Sequence, residues 1–192
     1  MTTLFLFAGP NSSGKFTVIS QVIAAYPDCV YINADYCAKS NPEIAMMQDG
    51  VTRSHLAWEE TERQIDEMLS SDVCFAWETV FLHENMLVFM DRSKIAGYRI
   101  RLVYVMTKSP EINVASVQKR VEAGGHDVPE EKIRIRYVRS VGFLLEMIIS
   151  VDEALVYDNL YDGCEPLLID VSEVRRGCRK TGVCGGESGA DE

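Results

Sequence analysis

Several features are missing from this chain, and each absence removes a class of protein. No apolar run approaches the length of a membrane span, so no membrane association is expected. Positive charge is scarce: 19 Lys and Arg stand against 29 Asp and Glu, for a net charge of −10. Binding nucleic acid by counterion release needs clustered cations, so no nucleic-acid partner is expected. The six cysteines, Cys29, Cys37, Cys74, Cys164, Cys178 and Cys184, form no C-x-x-C pair. They read as reduced thiols. Cys178 and Cys184, in CRKTGVC, are spaced to bind a metal or oxidise together, but a zinc site needs further ligands. The opening MTTLFLFAGP has neither a cationic n-region nor a cleavage site, which predicts a cytoplasmic chain. No internal repeat is visible.

What is present is enough for one domain: 192 residues, 47% hydrophobic and 25% charged. Thr3 to Ala8 is a continuous apolar run and predicts a strand buried on both faces. Further strands are expected at Val30 to Ile32, Val73 to Trp77, Tyr98 to Met106, Glu153 to Tyr157 and Pro166 to Asp170. Helices are expected from Lys15, from Pro42 to about Leu69, from Glu84 to Ala96, from Pro110 through Val121, and from Glu130 to Ser150. Alternating strands and helices argue for an α/β fold, a mostly parallel sheet with helices on both faces. The folded domain is expected to span 1–174. The small and polar residues 175–192 are expected to form a flexible tail.

The chemistry begins at Gly9, Pro10, Asn11, Ser12, Ser13, Gly14 and Lys15, which fit the first seven positions of the Walker A pattern between a strand and a helix. Backbone N–H groups in such a P-loop converge on phosphate, the helix start adds positive potential, and the Lys15 ammonium reaches the β and γ phosphates. The loop through Phe16 and Thr17 is therefore the expected site for ATP or GTP. The eighth position normally carries the Ser or Thr whose hydroxyl ligates Mg²⁺, and here it is Phe16. Thr17 does not replace it, because one helical residue turns the side chain by ~100°.

Asp35 follows a strand, where open parallel sheets bind ligands, and is either the base for a substrate hydroxyl or an Asx-type helix cap. Glu78 and Thr79, at the end of the third strand, either bind substrate hydroxyls or water ligands of Mg²⁺, or cap the next segment. Arg120, Arg134, Arg136 and Arg139 bracket the polar insert 122–129, which reads as a lid bringing positive charge to a transferring phosphoryl group. The alternative for each arginine is a solvated helix face paired with Glu130 and Glu131. Asp158 and Asn159 either approach the nucleotide base or form a turn.

Three blocks in order, GPNSSGK, FAWET and RVEAGGHDVPEEKIRIRY, resemble the zeta-toxin family of P-loop kinases over roughly residues 3 to 170. The resemblance implies a phosphotransferase that uses ATP or GTP with Mg²⁺ on a small-molecule acceptor, a nucleotide sugar in the studied members. It implies Lys15 as the phosphate-binding lysine and Asp35 as the base. Glu78 and Thr79 become acceptor residues, and Arg120 with Arg134 or Arg136 becomes the arginine set on the transferred phosphate. The family usually has Ser at the place of Phe16, and small polar residues near Leu82 and Leu160. Two other expectations stand beside the kinase: a nucleotide-binding protein with impaired catalysis, and, by analogy alone, a toxin with an antitoxin partner.

Overall fold

The computed structural model describes residues 2–80, 85–125, 127–159, 166–175 and 178–182. Five strands run parallel: β1 (Thr3–Ala8), β2 (Val30–Asn33), β3 (Phe75–Glu78), β4 (Arg99–Met106) and β5 (Glu153–Asp158). Two more, β6 (Leu167–Arg175) and β7 (Cys178–Gly182), continue the sheet antiparallel. The order across the seven strands is β2-β3-β1-β4-β5-β6-β7, so β1 is interior and the chain leaves it in both directions. In open α/β sheets that reversal point is where ligands bind.

The helices are α1 (Lys15–Ala24), α2 (Ala34–Ser40), α3 (Pro42–Ala45), α4 (Gly50–Ser71), α5 (Asn85–Ile95), α6 (Pro110–Glu122), α7 (Glu130–Gly142) and α8 (Leu144–Ile149). Strand periodicity explains how they cover the sheet. Leu4, Leu6 and Ala8 of β1 enter one core with Ile65, Phe89, Met90 and Met147, whereas Phe5 and Phe7 enter a second core with Val18 and Ile19. Helices α4, α5 and α8 therefore pack on one face and α1 on the other. Each of these β1 side chains except Thr3 is essentially fully buried, and each buried Leu or Phe stabilises the fold by roughly 1.5–3 kcal/mol. No helix among the described residues is long and apolar enough to cross a membrane.

Three boundaries differ from those expected. The single stretch from Pro42 to about Leu69 is two helices, preceded by an unexpected α2, because short polar side chains restart the backbone. Asn33, Asn41 and Asp49 each accept amides at a helix start: Asp35 N–H at 2.7 Å, Glu43 N–H at 3.0 Å and Thr52 N–H at 2.8 Å. The stretch from Glu130 to Ser150 is also two helices, α7 ending at Gly142 and α8 starting at Leu144; glycine is a weak helix former. The boundary after Val174 falls inside a strand, since β6 runs to Arg175 and β7 pairs with it. β7, CRKTG, has no alternating apolar residues, so its sequence reads as a tail. Residues 183–192, with Cys184, lie outside the described residues, as do Leu82, His126 and Leu160.

Candidate active site

The loop after β1 owes its shape to two glycines. Gly9 has φ +140° and Gly14 has φ +88°, values that side-chain-bearing residues avoid. A Cβ at Gly9 would lie 2.2 Å from the Val105 carbonyl oxygen, and one at Gly14 would lie 2.3 Å from Asn159 Nδ2. Only glycine lets the loop lie this close to β4 and to the residue following β5. Ser12 also takes the left-handed conformation, at φ 53°. Gly14 then opens α1, whose first turn carries no acidic side chain. The first N–H groups of a helix have no partner within it, so an anion is favoured there.

Distant side chains brace the loop. Asn113 Nδ2 of α6 donates to the Asn11 carbonyl at 2.6 Å, and its Oδ1 accepts from the Thr107 hydroxyl at 2.5 Å. Asn159 Nδ2 donates to the Ser13 carbonyl at 3.1 Å, and its own N–H donates to the Met106 carbonyl at 2.9 Å. Asn159 is thus a strut of the phosphate loop, a role in neither sequence expectation for it. Ser13 Oγ and Asn159 Oδ1 are buried without a protein partner at the same place.

Lys15 is 7% exposed. Its Nζ donates to the Pro10 carbonyl at 2.8 Å and to the Gly9 carbonyl at 3.0 Å, and lies 3.9 Å from Glu78 Oε1. Desolvation pushes its pKa below the ordinary 10.5; Glu78 opposes that shift, and the positive charge of Arg120 adds to it.

Parallel register assembles the other side. Asn33 of β2 stands opposite Glu78 of β3, and Tyr31 lies two residues earlier on the same face. Both reach Glu78 Oε2: Asn33 Nδ2 donates at 2.6 Å, and the Tyr31 hydroxyl donates in a short hydrogen bond. Burial first, then the Glu78 charge, raises the Tyr31 pKa, so the phenol stays protonated. The Thr79 N–H donates to the Phe7 carbonyl at 2.9 Å, tying this end of β3 to β1. Asp35 sits exposed in the first turn of α2. The helix cap is Asn33 and not Asp35, because Asn33 Oδ1 accepts the Asp35 N–H.

The arginines divide. Arg136 of α7 is half-buried and its Nη1 donates to Asn11 Oδ1 at 3.4 Å, so it reaches the phosphate loop. Arg134 instead pairs with Glu130 at 2.8 Å, one of the two partners in its alternative reading, and with Glu111 at 2.6 Å, which was not among them. The Ser109 hydroxyl first, then Arg134, holds the Glu111 carboxyl at about 2. Helix α7 is docked on β4 by the Tyr137 hydroxyl on the Thr107 carbonyl (2.8 Å) and by Tyr104 with Ser140 (3.0 Å). Tyr31, Asn33, Asn113, Tyr137 and the bracing role of Asn159 are not read from the sequence; the alternation of Tyr31 and Asn33 before Asp35 is the one available signal.

Position 16 tests the fit of Mg²⁺. The Phe16 ring is 74% exposed and offers no oxygen, and Thr17 is turned away from that position by the helix. The residues present do not fit a metal ligated from the P-loop.

An open, mostly parallel sheet, a glycine-shaped loop at its reversal point and a buried lysine on that loop define a P-loop kinase fold of the zeta-toxin type. Solved structures share it. A chain of the PezAT chromosomal toxin–antitoxin system of Streptococcus pneumoniae superposes with a TM-score of 0.65 at 18% identity, over 83% of this chain and 69% of that one. A chain of the AvrRxo1-ORF1:-ORF2 crystal structure with ATP gives 0.66 at 16% identity, over 89% of this chain; the match spans 58% of that chain's length. An uncharacterized protein of Haemophilus influenzae is 26% identical over 138 residues, 68% of this chain and 89% of that one. No family model matches the sequence.

Proposed function

We propose that this chain is a nucleotide-dependent phosphotransferase acting on a hydroxyl of a small molecule. The observation that carries the reading is the meeting, at one end of the sheet, of the Lys15 loop with Glu78 on one side and Arg136 on the other. The ATP in the AvrRxo1 crystal structure supports a nucleoside triphosphate, ATP or GTP, on the loop. Loop amides and Lys15 hold the β and γ phosphates. Glu78, oriented by Tyr31 and Asn33, and Thr79 receive the acceptor. Asp35 takes the proton from its hydroxyl, whose oxygen bonds to the γ-phosphorus as the bond to the bridging oxygen breaks and the nucleoside diphosphate leaves. Arg120 and Arg136 stabilise the charge on the transferring group. Arg134 is left out, since two carboxylates already neutralise it. No step runs through Mg²⁺.

Phe16 favours a second reading, a nucleotide-binding protein that does not catalyse. Calorimetry with ATP and GTP, with and without Mg²⁺, and a transfer assay on nucleotide sugars by this chain and by Phe16→Ser, separate the two. Turnover by this chain supports the kinase. Nucleotide binding that ignores Mg²⁺, without turnover by this chain, supports the second reading, and turnover by Phe16→Ser alone traces the loss to Phe16. A protein antitoxin is proposed as partner on the likeness to PezAT, and growth arrest on expression in bacteria is its test.

A further inference from the structure

Cysteines 45 positions apart in sequence meet at the opposite end of the sheet. Cys29 immediately precedes β2 and Cys74 immediately precedes β3, and the parallel register begins with Val30 opposite Phe75. The two cysteines are therefore neighbours across the ladder, joined also by the Val30 N–H on the Cys74 carbonyl at 3.0 Å. Both side chains belong to the core on the α1 face, and their sulfurs lie 2.9 Å apart. Neighbouring strands are ~4.8 Å apart, within the ~4.4–6.8 Å between Cα atoms that a disulfide spans. Cys29 is 9% exposed and Cys74 is more open, so an oxidant in solution meets Cys74 first.

We propose that Cys29 and Cys74 are a dithiol that oxidises to a cross-strand disulfide, with a glutathione-type disulfide as the oxidant. The Cys74 thiolate attacks one sulfur of the oxidant, forming a mixed disulfide and releasing one glutathione thiolate. The Cys29 thiolate then attacks Cys74 Sγ, forming the protein disulfide and releasing the second. The two electrons pass to the oxidant, and the two thiol protons end on the two glutathione molecules. Burial first, then the hydrogen bond shared with Cys74, pushes the Cys29 thiol up, so the closing step accelerates as pH rises. The bond would fasten β2 to β3 on the face where, further along the same strands, Tyr31 and Asn33 hold Glu78. This inference is independent of any phosphotransfer activity.

The test incubates the intact protein with glutathione disulfide, then applies mass spectrometry, peptide mapping and thermal melting. The expected product is lighter by two hydrogens, retains no glutathione at Cys74, and yields a linked peptide containing Cys29 and Cys74. Its melting temperature rises by about 5 °C or more, because a disulfide restricts the unfolded chain, and dithiothreitol reverses the rise. Cys29→Ser is expected to keep glutathione on Cys74 and to lose the linked peptide. A wild-type protein whose Cys29 and Cys74 both still react with iodoacetamide after this treatment overturns the proposal, as does one that keeps glutathione on Cys74. The decisive readings use the wild-type chain, so a poorly folding variant does not weaken them.

Discussion

The two halves of the candidate site are built from different materials. The half proposed for the nucleotide is backbone, a loop whose path is set by Gly9 and Gly14 and braced from outside by Asn113 and Asn159. The half proposed for the acceptor is side chain, a carboxylate on β3 held by a phenol and an amide on β2. Lys15 is the point where they touch. A backbone loop tolerates replacement of most of its side chains, whereas the Tyr31–Asn33–Glu78 group depends on every member.

The sharpest way to break the pairing is Lys15→Met. Nucleotide affinity is expected to fall roughly 10–100-fold by calorimetry, the range for losing hydrogen bonds made by a charged group. Thermal stability should hold or rise, because a buried ammonium is removed. Glu78→Gln should act on the other half, lowering acceptor turnover by roughly 10-fold or more while nucleotide affinity changes less; equal losses in both would erase the distinction between the halves.

Alkaline pH gives a smaller effect. Below its depressed pKa, Lys15 is charged in both the folded and unfolded chains, and burial of that charge costs stability. As pH climbs through the folded value toward 10.5, the folded chain loses its proton first and the cost is relieved. Over that window wild-type stability should gain relative to Lys15→Met while nucleotide affinity falls, as paired melting and binding curves would show. The smallest effect is expected for Arg134→Ala, a denaturant midpoint barely moved from wild type, since its partners are exposed. Arg136→Ala should instead weaken nucleotide binding or transfer.

Much of the nucleotide half is legible in the sequence, because Gly9, Gly14 and Lys15 occupy set positions in one short segment and each is required by local geometry. The fold is legible for a similar reason: the apolar run Thr3 to Ala8 announces a buried central strand, and strands alternate with helices along the chain. The acceptor half is legible only in part. Glu78 stands out at a strand end, but its bond to Asn33 depends on which strands become neighbours and in what register. Asn159 and Asn113 reach the loop across more than a hundred residues, a relation no local pattern encodes. The pair Cys29 and Cys74 is hidden in the same way, by distance in sequence rather than by chemistry.

The embrace of Lys15 by the Gly9 and Pro10 carbonyls has a consequence for selectivity. Two of the loop's own oxygens hold that cation. Under the proposed function, an anion that binds there competes with both of them, and a polyphosphate, offering several oxygens at once, competes better than a singly charged ion.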